Sequence, residues 1–203
     1  MGEGFKMLKR IMDIIVSTTM LITGLPFCML IACLIKMTDG GPVLFKQIRI
    51  GQGGHRFRML KFRSMVVDAE KLKAILADKN QHADNVTFKI KDDPRVTWIG
   101  RLLRKSSIDE VPQLWNVLRG DMSLVGPRPP LPCEVSTYSP YERKRLGVKP
   151  GLTCLWQIKG RSNLPFSQQV VLDIAYIRNR SVQLDIAILM RTIPVVITGR
   201  GAY

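Results

Sequence analysis

An apolar segment from residue 11 to residue 35 constrains the fold of this chain more than any other feature. A membrane-spanning helix needs roughly 20 apolar residues, so a straight transmembrane helix is the simplest interpretation. Gly24 and Pro26 interrupt the segment near its middle, however, and cations stand on both sides of it, Lys9 before and Lys36 after. Proline breaks or bends a helix, and basic flanks favour the cytoplasmic side. The pattern therefore favours a re-entrant helix that breaks at Pro26 and leaves the membrane on the side from which it entered.

A secretory signal is a third interpretation of the same segment. A charged start, an apolar stretch and the sequence Leu-Ile-Ala-Cys at 30–33 resemble a signal peptide with a lipid-attachment cysteine, which would make the protein a secreted lipoprotein. Cleavage there would discard Lys9, Arg10 and Asp13, so we favour the re-entrant helix. Asp13 is either an interfacial residue near the start of the helix or a partner for Arg10 where the chain enters the membrane.

The net charge indicates an anionic partner. Lysine and arginine total 31 while aspartate and glutamate total 16, which gives +15 at pH 7. Such a surplus favours nucleic acid, an anionic membrane surface or a phosphorylated substrate. The sequence contains no helix-turn-helix, zinc-finger or RNA-binding signature, so we expect no nucleic acid, and a membrane-tethered nucleic-acid-binding protein is the main alternative. The cysteines show no Cys-x-x-Cys spacing, which argues against a zinc or disulfide framework and favours a reducing cytosol.

The pattern beyond the apolar segment predicts an α+β fold. A strand at 43–50 and a second at 56–63 flank a glycine-rich turn, which predicts a small hairpin with one cationic face. We expect a membrane anchor at 1–37 and one compact domain at 38–203.

Several short helices and one more extended segment complete this fold. In the helix predicted at 96–104, Ile99, Leu102 and Leu103 are expected to face inward. The last helix is apolar almost all round, so it is buried or lies in the bilayer interface, where it can also join a homodimer. The remaining predictions are helices at 68–77 and 165–178, an extended segment at 152–158, and a last helix from Asp185, as its cap, to Thr198.

Two adjacent carboxylates, Asp109 and Glu110, stand among fixed cations in the run Arg-Lys-Ser-Ser-Ile-Asp-Glu-Val-Pro-Gln at 104–113. Opposite charges within a few ångströms keep a carboxylate ionised, so this pair can supply a nucleophile or a metal ligand. Because Pro112 fits only the first positions of a helix, the helix is predicted to begin near Asp109. The N-terminus of a helix carries a partial positive charge, so it favours carboxylates and phosphates. An N-cap role for Asp109 is equally compatible with this spacing.

Arg128 lies in a stiff loop, Gly-Pro-Arg-Pro-Pro, at 126–130. Prolines fix φ and restrict the residue before them, so the loop presents the Arg128 guanidinium to an oxyanion at a reduced entropy cost. A proline-rich surface loop without a function is the alternative interpretation.

The chain resembles the bacterial sugar transferases, the monotopic polyprenol-phosphate phosphoglycosyl transferases, in the form that consists of the catalytic domain alone. The resemblance covers residues 9–203 and rests on separated motifs in the expected order. These motifs are Lys9-Arg10 with Asp13, KFRSM at 61–65, DPR at 93–95, SIDEVPQ at 107–113, GPRP at 126–129, and PGLT at 150–153 followed by Trp156-Gln157 and Gly160-Arg161.

The resemblance implies transfer of a sugar 1-phosphate from a UDP-sugar to a polyprenol phosphate such as undecaprenyl phosphate, at the cytoplasmic face of the bacterial inner membrane, with release of UMP. It implies that Asp109 attacks the β-phosphate to form a covalent phosphosugar intermediate and contacts Mg²⁺, while Glu110 supports it. Phosphoryl transfer of this kind depends on alignment and on neutralisation of charge. The phosphate contacts expected from the motifs are Lys61, Arg104, Arg128 and Arg161, with Arg63 and Arg95 as weaker candidates.

Overall fold

In the computed structural model of the protein, residues 2–69, 71–72, 90, 93–160 and 164–198 are described. The first helix, α1, runs from Glu3–Asp39 and ends where Gly40 adopts a left-handed conformation, φ 68°. Pro26 lies inside this continuous helix, so the predicted break into two helices is not confirmed. By length and hydropathy, α1 is the one described helix long and apolar enough to cross a membrane.

One face of α1 packs against the rest of the chain over most of its length. Asp13 and Ser17 are buried near its start, and Ile31 and Ile35 are buried near its end. Between these two ends, half-buried residues such as Leu21 recur at intervals of three or four positions and continue the same face. Since residues three and four apart share one side of a helix, α1 lies along the domain rather than projecting from it.

The predicted hairpin is confirmed. Strand β1, Leu44–Ile50, pairs antiparallel with strand β2, Arg56–Phe62, so that Gln47 lies opposite Met59. Side chains alternate between the two faces of a strand, so Gln47, Arg49, Met59 and Lys61 belong to one face and the exposed Lys46, Arg56 and Arg58 to the other. The inner face of the hairpin thereby brings Arg49 and Lys61 to the interior of the domain.

Helices and a second pair of strands follow the hairpin. Two 3₁₀ turns, Ile108–Glu110 and Glu142–Gly147, separate some of them. Strands β3, Ser123–Val125, and β4, Gly151–Thr153, form a parallel pair. The helices are α2 Trp98–Lys105, α3 Gln113–Arg119, α4 Pro132–Thr137, α5 Leu155–Lys159, α6 Phe166–Asn179 and α7 Val182–Thr198.

Two clusters of buried apolar side chains hold these elements together, and α1 contributes to both. Val16 and Leu21, near the first half of α1, pack against the larger cluster, whose members include Met59, Leu114, Val117, Met122, Tyr176 and Ile188. The second half of α1 supplies Ile31 and Ile35 to the smaller cluster, which also contains Phe62, Ile99 and Leu103. Each fully buried side chain of this size stabilises the fold by about 1.5–3 kcal/mol.

Three local predictions are wrong. Leu102 is 57% exposed, because α2 turns only Ile99, Gly100 and Leu103 toward the core. The segment predicted to be extended at 152–158 leaves β4 after Thr153 and becomes helix α5. The helix predicted to begin near Asp109 is a 3₁₀ turn, and α3 begins only after Pro112, where the missing N–H of proline costs nothing.

The last helix also differs from its prediction at the first turn. Asp185 is not its cap, since the Ser181 hydroxyl accepts a hydrogen bond from the Leu184 N–H instead. Asp185 is fully buried, and an ion pair with Lys9 of α1 accounts for its burial. The predicted helix at 165–178 is confirmed as α6, whereas most of the helix predicted at 68–77 lies outside the described residues.

Candidate active site

The end of β2 meets the 3₁₀ turn that follows α2, and this contact joins Lys61 to both carboxylates. The Nζ atom of Lys61 lies 2.6 Å from Oε1 of Glu110 and 3.7 Å from Oδ2 of Asp109. Ser107, which begins the turn, has a left-handed conformation with φ 57°, unusual for a residue other than glycine. This reversal of the chain directs the two carboxylates back toward β2.

The two carboxylates differ in their surroundings. Burial raises the pKa of Asp109, and the negative charge of Glu110 raises it further, although Lys61 and Arg104 oppose the shift. Burial alone would raise the pKa of Glu110 as well, but the ammonium of Lys61 and the guanidinium of Arg128 outweigh it and leave that pKa lowered. Glu110 is therefore ionised more readily than Asp109, whose charged form is poorly solvated.

Arg104 comes from the last turn of α2, where its Nε–H donates to the Ser64 hydroxyl at 2.9 Å. Burial lowers the pKa of this arginine, and the nearby charges of Asp109 and Asp93 partly restore it. Arg104 thus lies close enough to Asp109 for their charges to interact, with Ser64 fixing its orientation. A guanidinium held in this way matches the geometry of a phosphate.

Arg128 lines a cleft together with Lys61, Glu110 and Gln113. Among the described residues, no side chain or backbone carbonyl accepts a hydrogen bond from its guanidinium. It is half-buried, while the prolines on both sides of it are buried. Its donors therefore remain available to an anion that enters the cleft.

Two glycines allow the loop that carries Arg128 to lie against β4. The Gly126 N–H donates to the Thr153 carbonyl at 3.0 Å, and the Gly151 N–H donates to the Pro127 carbonyl at 2.9 Å. A Cβ atom on Gly151 would lie 2.0 Å from the Gly126 nitrogen, and one on Gly126 would lie 2.5 Å from the Lys149 carbonyl oxygen. The close approach of the two backbones thus explains why both positions are glycine.

Two of the other predicted phosphate contacts are paired with carboxylates instead of lining this cleft. Arg63 is buried and forms an ion pair with Asp39 at the end of α1. Arg95 is buried and pairs with Asp93 at 2.6 Å. Arg161 lies outside the described residues.

Two buried residues that help to build the site were not predicted from the sequence. Arg49 is buried and donates to the Pro129 carbonyl at 2.9 Å, directly beside Arg128. Asn116 of α3 is also buried; its Oδ1 accepts from the Leu60 N–H at 3.0 Å and its Nδ2–H donates to the Arg58 carbonyl at 2.8 Å. The alternation along the hairpin placed Arg49 on the same face as Lys61, and this was the available signal.

The beginning of α1 is fastened to the strand that leads into the Arg128 loop. Lys9 donates to the Val125 carbonyl at 3.0 Å and to Asp185 at 2.6 Å. Asp13 accepts from the Leu124 N–H at 2.9 Å. Arg10 does not pair with Asp13; it donates to the last carbonyls of α3, those of Val117 and Leu118, at 2.6 Å each.

The donor set fits magnesium better than zinc. The described part of the chain contains no group of three or more histidine, cysteine or acidic side chains that could hold a metal alone. Glu110 lines the cleft together with Arg128, and the adjacent Asp109 has its Oδ2 atom 3.7 Å from Nζ of Lys61, which also lines it. Mg²⁺ is commonly held by one or two carboxylates, with substrate phosphates and water supplying the remaining oxygens, so an adjacent pair of carboxylates is compatible with such a site.

Comparison with known proteins decides the family. The family model for bacterial sugar transferases matches residues 5–199. The chain belongs to the bacterial sugar transferase family. The transferase motifs at 61–65, 107–113 and 126–129 coincide with the elements that form the cleft.

Named relatives cover nearly all of this transferase. It is 48% identical to the galactosyl transferase CpsE of Streptococcus agalactiae over 96% of the chain and 43% of that protein. It is 44% identical to the undecaprenyl-phosphate galactose phosphotransferase of Salmonella typhimurium over 98% of the chain and 42% of that protein. The exopolysaccharide production protein ExoY of Sinorhizobium fredii is 40% identical over 96% of the chain and 88% of its own length. The transferase thus spans less than half of the first two relatives and most of the third.

Proposed function

We propose that this transferase moves a sugar 1-phosphate from a UDP-sugar to undecaprenyl phosphate and releases UMP, an early membrane step in the assembly of a surface polysaccharide. Membership of the family supports the reaction class, and the name of the Salmonella relative supports the lipid acceptor. The single observation that carries the proposal is the buried Asp109 carboxylate, which lies beside the Lys61–Glu110 ion pair and close to cations that can hold a diphosphate.

Asp109 is the nucleophile in this proposal. One of its oxygens attacks the β-phosphorus of the donor, the bond from that phosphorus to the bridging oxygen breaks, and UMP leaves with the electron pair. An oxygen of the lipid phosphate then attacks the same phosphorus and returns the Asp109 carboxylate. The absence of a hydrogen bond to the Asp109 carboxylate within the described structure supports this role, because its oxygens are free to attack.

The cations around Asp109 have separate roles. Arg128, whose donors have no partner among the described residues, binds the phosphates of the UDP-sugar and then of the lipid. Arg104 lies on the α2 side and offsets the charge that accumulates on the transferring phosphoryl group. Lys61 holds Glu110 and lowers the repulsion that the incoming diphosphate meets. We retain Arg161 as a further phosphate contact that the family motif implies.

We propose Mg²⁺ as the cofactor, held by Asp109 with Glu110 beside it. When bound, Mg²⁺ would supply neutralisation of the diphosphate charge. The chain's own contribution is orientation, since Lys61 fixes Glu110 at 2.6 Å and the turn that begins at Ser107 fixes Asp109.

We further propose that the protein attaches to one face of the membrane, the cytoplasmic face of the inner membrane, and does not span it. Both ends of α1 pack on the same domain: Lys9 contacts Asp185 at one end, and Asp39 contacts Arg63 at the other. A helix that crossed a bilayer would carry its two ends to opposite sides. The outward face of α1 is apolar and exposed, as lipid contact requires, at Ile11, Ile15, Ile22, Leu25, Phe27 and Leu30.

The last helix supports the same attachment. Helix α7 exposes an apolar stripe at intervals of four, three and four residues, which is one helical face. Its opposite side is held by the buried Asp185 and Ile188. The exposed members of the stripe are Ile186, Met190, Ile193 and Ile197. This favours the bilayer interface over a fully buried position.

The experiment is an assay of UMP release from a panel of UDP-sugars in the presence and absence of undecaprenyl phosphate. We expect release from at least one donor, and we expect Asp109→Asn to lower kcat by at least about 10³-fold, because the nucleophile is lost. Asp68→Asn, at an exposed carboxylate, is the matched control and should retain full activity. Near-normal turnover by Asp109→Asn would refute the assignment, and no release from any donor would refute the proposed reaction.

A further inference from the structure

Arg49 is a buried arginine at the end of β1 for which the reaction described above has no role. It is 7% exposed. Its Nε–H and one Nη–H group donate to the Gln47 side-chain oxygen at 3.0 and 2.7 Å, and the other Nη–H group donates to the Pro129 carbonyl at 2.9 Å. No carboxylate of the described residues lies within ion-pair distance of it. Among the described residues, its direct partners are therefore neutral hydrogen-bond acceptors.

The loop that Arg49 holds is fastened mainly through its carbonyl groups, besides the Gly126 N–H that donates to the Thr153 carbonyl. Pro127, Pro129 and Pro130 have no N–H, so the segment has few donors of its own. Three of its carbonyl oxygens accept hydrogen bonds from outside the loop: Pro127 from the Gly151 N–H, Pro129 from Arg49, and Pro130 from the Ile50 N–H. Arg49 is the one side chain among these three donors, and its contact lies immediately after Arg128.

The charge of Arg49 is costly in this position. Burial, together with the neighbouring charge of Arg128, lowers the pKa of Arg49 to about 10. A buried cation without a carboxylate partner destabilises a fold unless something specific is gained from it. What is gained here is a fixed Pro129 carbonyl. The guanidinium has several N–H donors in one plane, so it binds this carbonyl and the Gln47 side chain at the same time, which a neutral side chain with fewer donors would not do.

We infer that Arg49 is a positioning residue for Arg128: by binding the Pro129 carbonyl and Gln47 at once, it fixes the loop so that the Arg128 guanidinium faces the donor and lipid phosphates. The inference rests on the proposed function, because Arg128 is the phosphate contact in that proposal. Arg49 acts only through Arg128 and touches neither substrate. Displacement of a positioned group by about 1 Å can cost as much as about 10²-fold in rate.

A double-mutant cycle tests the inference. Arg49→Met should lower kcat/KM for the UDP-sugar by about 10- to 100-fold in the otherwise unchanged protein. In a protein that already carries Arg128→Ala, the same change should lower it by less than about threefold, since residues that act through one another are not additive. Lys46→Met removes an exposed cation from the same strand and should leave activity unchanged. Arg49→Lys keeps the charge but loses the planar set of guanidinium N–H donors, so its kcat/KM should lie between those of Arg49→Met and the unchanged protein.

Each outcome of the cycle decides for or against the inference. Additive losses from Arg49→Met and Arg128→Ala would overturn it, because Arg49 would then act independently, and so would an Arg49→Met protein with unchanged kcat/KM. If Arg49→Met melts below the assay temperature, Arg49→Lys takes its place in the cycle, and the same two results decide. Absence of UMP release by the unsubstituted protein would instead contradict the proposed function. Failure of the inference and failure of the proposed function are therefore distinguishable.

Discussion

The Nζ atom of Lys61 lies 2.6 Å from Oε1 of Glu110, which makes Lys61 a hydrogen-bond donor to this carboxylate and only a more distant counter-ion of Asp109. The lysine therefore stabilises one carboxylate of an adjacent pair and leaves the other with a poorly compensated charge. Burial raises the pKa of Asp109, whereas the charges of Lys61 and Arg128 outweigh the burial of Glu110 and lower its pKa.

Removal of the Glu110 charge should shift the pH profile of the enzyme. In the proposed reaction the ionised form of Asp109 is the nucleophile, so activity should fall as pH decreases through the pKa of Asp109. Glu110→Gln removes a negative neighbour and lets Lys61 interact more fully with Asp109, and both changes lower the pKa of Asp109. We expect the acid limb of kcat/KM to move to lower pH although the maximal rate is reduced. The measurement is the pH–rate profile, with Asp68→Asn as the control that should not shift it.

Asp109→Asn should make the protein more stable at neutral pH while it abolishes activity. The pKa of Asp109 is raised in the folded state, so the ionised carboxylate opposes folding once the pH exceeds the value for the unfolded chain. The stabilisation by the substitution should be present at neutral pH and vanish as the pH falls below that unfolded value, where Asp109 is protonated in both states. Thermal melting in detergent across this pH range measures it. A lower melting temperature at neutral pH would contradict the assignment of a strained charge.

The Lys9–Asp185 ion pair should fix α1 to the rest of the chain. Lys9→Met leaves a fully buried carboxylate without its cation, and breaking such a pair typically costs about 3–5 kcal/mol. Replacing both partners, as Lys9→Met with Asp185→Leu, should recover most of this loss, because Tyr176 can still donate to the Val125 carbonyl. Chemical unfolding measures both variants. Lys6→Met, at an exposed position, is the control, and an equal loss there would argue against a specific contact.

Both ends of α1 should lie on the cytoplasmic side. Single cysteines placed at Glu3 and at the 82% exposed Met37, after replacement of the four native cysteines by alanine, should react with a membrane-impermeant maleimide in inverted vesicles. Neither should react in intact spheroplasts. Labelling of the two positions from opposite sides would establish a spanning helix and contradict the proposed attachment.

The sequence was sufficient to predict the hairpin and helix α6. Alternation of side chains and the position of Pro165 depend on short stretches of chain, so local rules describe them well. The alternation of side chains along the two paired strands also determines the face of the hairpin on which Lys61 lies.

Long-range contacts account for what the sequence did not predict. Asp185 has the spacing of a helix cap, but its partner, Lys9, is at the other end of the chain. Arg63 was predicted to contact phosphate, yet it pairs with Asp39, 24 residues away; the similar miss at Arg95 has a local cause, its pairing with Asp93. Arg49 was overlooked because its acceptor, Pro129, is 80 residues away and has no charge.

The most direct test of the central claim is mass spectrometry of the protein after brief incubation with its UDP-sugar and no lipid acceptor. We expect a mass increase equal to one sugar phosphate, located on the peptide that contains Asp109, lost on addition of undecaprenyl phosphate and never formed by Asp109→Asn. A protein that turns over normally without this adduct, or that carries it on Glu110, would contradict the claim.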